Sequence, residues 1–228
     1  MNEGQGLIID FRRIRDGVIR ISLFTAGDGL ITGLYRSSEK KNNSKFRPLS
    51  AVSYGFSKRQ SSDLFWFQHL SIVNPHFNIH SDLVKQCIVL YLQELLVKSI
   101  LPGNPNLALY RFLFDSIHLL DDSHRPANFP LWATLEIIRH QGYLPDVSQI
   151  ELIVADNAGS LGHKTYSQEA KALIVEFMPL EWSQVSDYAV SSAIRREATD
   201  MLIQFFCKQL EIKSKFYSVE ILQEVLHS

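Results

Sequence analysis

Between Val18 and Thr25 polar and apolar positions alternate, with Ile19, Ile21 and Leu23 separated by Arg20 and Ser22. A period of two puts alternate side chains on one face, so this run predicts a β-strand with one face buried. Residues 6–11 before it and 30–35 after it supply two further apolar runs. Gly27-Asp28-Gly29 between the second and third predicts a hairpin turn, because glycine accepts a positive φ without a side-chain clash. Beyond a polar loop, residues 49–56 and 64–73 add two more β-rich runs, and Trp66, inside the aromatic stretch of the last, reads as core. Five short strands with turn signals at this spacing predict a small closed barrel, which leaves no open sheet edge; an OB-type barrel fits best.

After Pro75 the period changes to that of helices. Ser81-Asp82 offers cap oxygens for a helix starting near Leu83, in which Leu83, Cys87, Tyr91 and Leu95 recur on one face and predict a central, buried element. Pro102-Gly103 stops it, and Asn104-Pro105 predicts a cap and first turn for a second helix lined by Leu109, Phe112, Leu113, Ile117 and Leu120. A third helix is expected over 130–140, ended by Gly142, a fourth over 188–210, and an amphipathic segment over 219–226 closes the chain. The stretch 149–177 is mixed, with a strand expected at 150–155 and a short helix after Ser167. The fold class is therefore α+β: a five-stranded OB-fold barrel over residues 1–79, then a mainly helical domain over 80–228.

Charge adds what the pattern does not show. The chain of 228 residues carries a net charge of only −1, yet residues 1–80 hold 11 Lys/Arg against 6 Asp/Glu and the remainder 12 against 18. A basic barrel joined to an acidic helical part predicts that the barrel meets an anion. The loop 36–47 concentrates this charge in Arg36, Lys40, Lys41, Lys45 and Arg47, flanked by Tyr35 and Phe46. Such cations can each reach a phosphate and release its counterions, while a ring beside them can stack an unpaired base. Arg12, Arg13, Lys58 and Arg59, at other strand ends, extend the candidate DNA-binding surface. A solvated loop whose Phe46 tucks into the barrel is the alternative with the same composition.

Catalytic chemistry finds no residues to stand on. His76 and His80 read as loop residues with no obvious third ligand, and Gly159 to Lys164 lacks the spacing of a phosphate-binding loop. Neither a Gly-x-Ser-x-Gly elbow nor a His-Glu-x-x-His helix occurs. The two cysteines, Cys87 and Cys207, stand too far apart for a Cys-x-x-Cys pair and are too few for a four-thiolate zinc site. No apolar stretch approaches the ~20 residues of a membrane span, and residues 1–6 are too polar for a secretion signal, so a reducing cytoplasm is expected.

In order and spacing, several stretches resemble the bacterial recombination-mediator family RecO. They are Gly6-Leu7-Ile8-Ile9, Leu23-Phe24-Thr25, Gly29-Leu30-Ile31, the loop with Lys40, Lys41 and Lys45, residues 90–96 and 107–120, Gly142-Tyr143-Leu144-Pro145-Asp146, and Lys213-Ser214-Lys215. The resemblance implies an N-terminal OB-fold and a C-terminal helical domain, binding to single- and double-stranded DNA, and annealing of complementary strands. It further implies help, with RecR, in loading the recombinase RecA onto single strands coated by the single-strand-binding protein SSB, with RecF as a further partner. Such proteins are not enzymes, need no cofactor, and work in the cytoplasm at the nucleoid. Many members carry four zinc-binding cysteines after the Gly-Tyr-x-Pro-Asp turn; residues 146–177 here contain none. The resemblance also motivates a pocket for the acidic, Phe-ended SSB tail, for which Arg125, Trp132 and Arg139 are the candidates. Two rival classes stay open at this point: an OB-fold scaffold that binds protein rather than DNA, and an enzyme with an unusual site.

Overall fold

The computed structural model describes residues 2–15, 17–36, 46–58, 65–144 and 166–227. Its first elements are β1 (Asn2–Arg15), β2 (Val18–Thr25), β3 (Gly29–Arg36), β4 (Ala51–Lys58) and β5 (Phe65–Ile72). They close in the order β1-β2-β3-β5-β4, with β4 returning to β1; only the β3–β5 pairing is parallel. This is the five-stranded OB-type barrel that the alternation predicts. Ile8, Ile19, Ile21, Leu23, Val52 and Phe67 fill its interior together with Tyr54 and Phe56.

Two local features show how sequence sets this geometry. The β2–β3 hairpin turns through Ala26 to Asp28, and Gly29 takes φ +65° with the backbone of Asn104 only 2.6 Å from where a Cβ would stand. The parallel seam needs Gly33, where a Cβ would lie 2.6 Å from the Phe67 ring and 2.8 Å from the Phe65 carbonyl. On β1 the register slips between Ile8 and Asp10. A bulge leaves its extra residue outside the ladder, and here the Ile9 carbonyl accepts instead from Gln93 Nε2 at 2.9 Å.

The helices are α1 (Phe77–Ser81), α2 (Leu83–Ser99), α3 (Leu107–Asp122), α4 (Phe129–His140), α5 (Gln168–Phe177), α6 (Trp182–Val185), α7 (Ser192–Gln209) and α8 (Ser218–His227). Among the described residues no helix is long and apolar enough to cross a membrane. Asp82 caps α2 through its side chain on the Lys85 N–H at 3.1 Å. The helix is less enclosed than its pattern predicts, since Leu83, Leu90 and Val97 are exposed. Asn106, rather than Asn104, caps α3, its Oδ1 accepting from the Leu109 N–H at 2.9 Å. The long helix starts at Ser192 instead of 188, because Ser191 Oγ accepts from the Ile194 N–H and ends the preceding extended stretch. Ser167 caps α5 as expected; the strand expected at 150–155 and the turn at 159–164 lie outside the described residues.

The chain forms two compact units: residues 1–81 with 93–121, and 82–92 with 122–228. In the first, α3 covers one end of the barrel through Tyr110, whose ring centroid lies 6.2 Å from that of Phe24. In the second, α4 and α5 pack on α7. Phe129 is fully buried there, with ring centroids 5.4 Å from Trp132 and 4.9 Å from Trp182.

Candidate nucleic-acid interface

Pairing across β1, β2 and β3 sorts the arginines of the barrel. Arg12 stands opposite Arg20, Arg15 opposite Val18, and Val18 opposite Arg36. Arg12, Arg13, Arg15, Arg20 and Arg36 are all exposed, as is Arg47 beyond the loop. Strand alternation explains this: Ile19 and Ile21 belong to the barrel core, so Arg20 between them faces out. Like charges directly across a ladder repel, so this cationic end is maintained at a cost to the sheet that a bound anion would offset.

Of the two aromatic residues flanking the loop, Phe46 is taken up by the barrel. Phe46 is 2% exposed and belongs to the barrel core, with Tyr35 packed edge-on against it at 5.7 Å. Burial of Phe46 removes it from the candidate surface and anchors the chain where the basic loop returns to the barrel. Tyr35 is half-buried against the same core. Lys40, Lys41, Lys45 and Arg59 lie outside the described residues, as does the side chain of Lys58.

Near Arg47, the sequence reading of His80 as a loop histidine needs correction, whereas His76 does stand in the loop before α1. His80 lies in α1, and burial and then the Arg47 guanidinium hold its pKa below the usual histidine value, with Asp121 acting in the opposite sense. His76 is buried, its ring 4.7 Å from that of His118. Asp121 Oδ1 accepts from the Ile79 N–H at 2.7 Å and so fixes the first turns after the barrel. Among the described residues no group of three or more His, Cys, Asp and Glu side chains is placed to hold a metal ion.

In the helical unit Arg125, Trp132 and Arg139 each have partners of their own. Arg125 pairs with Asp187 at 3.2 Å, both side chains 74% exposed. Trp132 is buried and its indole N–H donates to the Leu180 carbonyl at 3.3 Å. The Arg139 guanidinium donates to the Met178 carbonyl and lies 3.4 Å from Glu136. Burial raises the pKa of Glu136 above the ordinary carboxyl value, and the Arg139 charge opposes that shift. A groove does open nearby, lined by Pro130, Arg195, Arg196, Thr199, Leu222 and Leu226. Arg195 is half-buried, donating to Asn128 Oδ1 at 3.2 Å, whereas Arg196 is exposed.

Comparison with known proteins bears on this architecture at two levels. The family description "Recombination protein O C terminal" matches residues 80–150. Along nearly the whole chain, "DNA repair protein RecO" of Flavobacterium psychrophilum is 27% identical, the alignment covering 97% of both proteins. The protein of the same name from Flavobacterium johnsoniae is also 27% identical, with 97% of each chain covered. That of Christiangramia forsetii is 21% identical over the same shares. Along nearly its whole length the chain is similar to proteins of the RecO family. Both the barrel and the helical part thus align with these relatives over 97% of the chain, as the resemblance of its scattered motifs led one to expect.

Sequence reasoning missed two outward-facing arginines, Arg15 and Arg20. The signal for Arg20 was present, because the alternation that buries Ile19 and Ile21 turns the residue between them to the opposite face. It also missed the groove of Arg195 and Arg196, which depends on how α7, α8 and the start of α4 pack. With two cysteines in all, this chain has too few thiolates for a four-cysteine zinc site. A chelator should therefore leave the melting temperature of the purified protein unchanged, and elemental analysis should return less than one zinc per chain; a melting point that falls in chelator would contradict this.

Proposed function

We propose that this chain acts in DNA repair and recombination as a non-enzymatic mediator: it binds single- and double-stranded DNA on the cationic end of its barrel and anneals complementary strands. The observation that carries the reading is the set of exposed arginines, Arg12, Arg13, Arg15, Arg20 and Arg36, gathered by strand register on a barrel segment with excess positive charge. Phosphate contacts of this kind hold the backbone and carry no base sequence, which is what annealing of arbitrary complementary strands requires. Lys40, Lys41, Lys45, Lys58, Arg47 and Arg59 extend the same surface in this reading. The similarity to proteins named for DNA repair supports the process, and the family resemblance supplies its partners: RecR, the SSB tail, RecA and RecF.

For the SSB tail the groove of α7 and α8 is a better seat than the ends of α4. An acidic tail ending in phenylalanine needs cations beside an apolar slot. Arg195 and Arg196 stand over Pro130, Leu222 and Leu226, whereas Trp132 and Arg139 are engaged in packing and hydrogen bonding.

The test is annealing of two complementary labelled oligonucleotides with no nucleotide present. The expected result is a rate well above the spontaneous one, independent of added ATP and suppressed by high salt. Partner binding without any acceleration of annealing would favour the protein scaffold instead.

A further inference from the structure

The outer face of the barrel carries one residue whose composition reading the structure reverses. Phe65 and Phe67 turn inward, Phe67 into the barrel core and Phe65 against it, so Trp66 between them points outward and is half-buried instead of enclosed. Register then places it in a row that crosses four strands: Arg12 opposite Arg20, Arg20 opposite Leu34, and Leu34 opposite Trp66. Residues directly opposite one another share a face of the sheet.

The same outer face changes character along β2. At its far end Phe24 is fully buried beneath Tyr110 of α3. Four residues earlier, at Arg20, the face is exposed and carries charge, and Arg12 and Arg20 make no ion pair with a described residue. A large indole and an apolar Leu34, both half-buried, therefore share this face with two exposed like charges that stand opposite each other. Neighbouring strands stand about 4.8 Å apart, which puts Trp66 about 10 Å from Arg20 across two strands. An extended arginine and a base lying on the indole fit that interval.

We propose that Trp66 is a stacking residue for an unpaired base and that Arg20, with Arg12 opposite, holds the neighbouring phosphates. The inference rests on the DNA-binding reading above and deepens it, because a ring can cover a base only where that base is not already stacked and paired. The Trp66 indole thus adds affinity for single strands alone, while the cations of the barrel, Arg12 and Arg20 among them, serve both forms of DNA. An OB barrel offers this kind of strand face to oligonucleotides in general, and here the register names the residues.

The experiment measures binding of labelled oligo-dT and of a blunt duplex to the full-length protein and to Trp66→Ala, Trp66→Phe and Arg20→Ala. Removing the indole should weaken oligo-dT binding roughly 5- to 100-fold, the range spanned by loss of one stacked base. Phenylalanine should restore most of it, and duplex affinity should stay within a factor of about two. Arg20→Ala should lower the salt slope for oligo-dT by about 0.7. Because Trp66→Ala removes a partly packed ring, a second readout uses the folded Trp66→Phe protein. The intrinsic fluorescence quenched by oligo-dT in the wild type should be absent there, since Trp132 and Trp182 are buried. Equal oligo-dT affinity in Trp66→Ala, equal losses for duplex and single strand, or undiminished quenching in Trp66→Phe would overturn the proposal while leaving DNA binding itself standing. A wild type that binds neither DNA would overturn the broader reading instead.

Discussion

Phe129→Ala should destabilise the helical unit by about 3–5 kcal/mol, the range for deleting a large buried aromatic side chain. The ring is fully buried and in edge-on contact with Trp132 and Trp182, two rigid neighbours. Neither can move freely into the space: the Trp132 indole donates to the Leu180 carbonyl, and Trp182 starts α6 behind the Glu181 capping box. The cavity would therefore stay largely open, and the dispersion attraction of the ring would not be regained. A urea melt followed by far-UV circular dichroism checks this, with Phe129→Leu as a milder control. A loss below about 1 kcal/mol would show that the aromatic cluster repacks and is not the centre of this unit.

The second large effect is electrostatic. Replacing Lys40, Lys41, Lys45 and Arg47 together by alanine should flatten the dependence of single-strand affinity on salt by up to about 2.8 in log–log slope, at about 0.7 for each phosphate left without its cation. Over a fourfold rise in salt that difference corresponds to roughly 50-fold in affinity, at the upper end of what one stacked base supplies. Duplex binding should weaken in parallel, since these cations meet backbone rather than bases. The folded variant is compared with wild type by circular dichroism before titration. An unchanged slope in a folded quadruple variant would remove the loop from the binding surface and leave the outer-face arginines to account for affinity.

Much of the barrel was legible because each strand has one face committed to a small core, and commitment to a face is what a period of two records. The stretch from Val18 to Thr25 shows this best: its observed bounds are those of the alternating run. The aromatic residues show where composition competes with period. Trp66 reads as core when taken with its Phe neighbours, yet the period that buries Phe65 and Phe67 requires it to face out. Phe46 shows the reverse error, since a ring beside lysines suggests stacking, but a barrel this small needs a side chain from outside its strands to fill its interior.

The start of α3 was not legible from its cap candidates. Asn104 and Asn106 compete for the start of α3, and Pro105 between them suits either reading; the backbone of Asn104 is drawn against Gly29, which leaves Asn106 to cap. No local pattern reveals that contact, because Gly29 and Asn104 are joined by the tertiary fold. The same holds for the groove beside α7. Arg195 and Arg196 are ordinary positions on a long helix until α8 and Pro130 supply the walls.

The central claim is that the cationic barrel binds DNA through its phosphates. Its most direct test is a titration of the wild-type protein against two labelled single strands of unrelated sequence at several salt concentrations. The account predicts affinities for the two that agree within a few-fold, each falling linearly in log–log form by about 0.7 for every phosphate neutralised. Affinity that ignores salt, or that exists for one sequence and not the other, would contradict it.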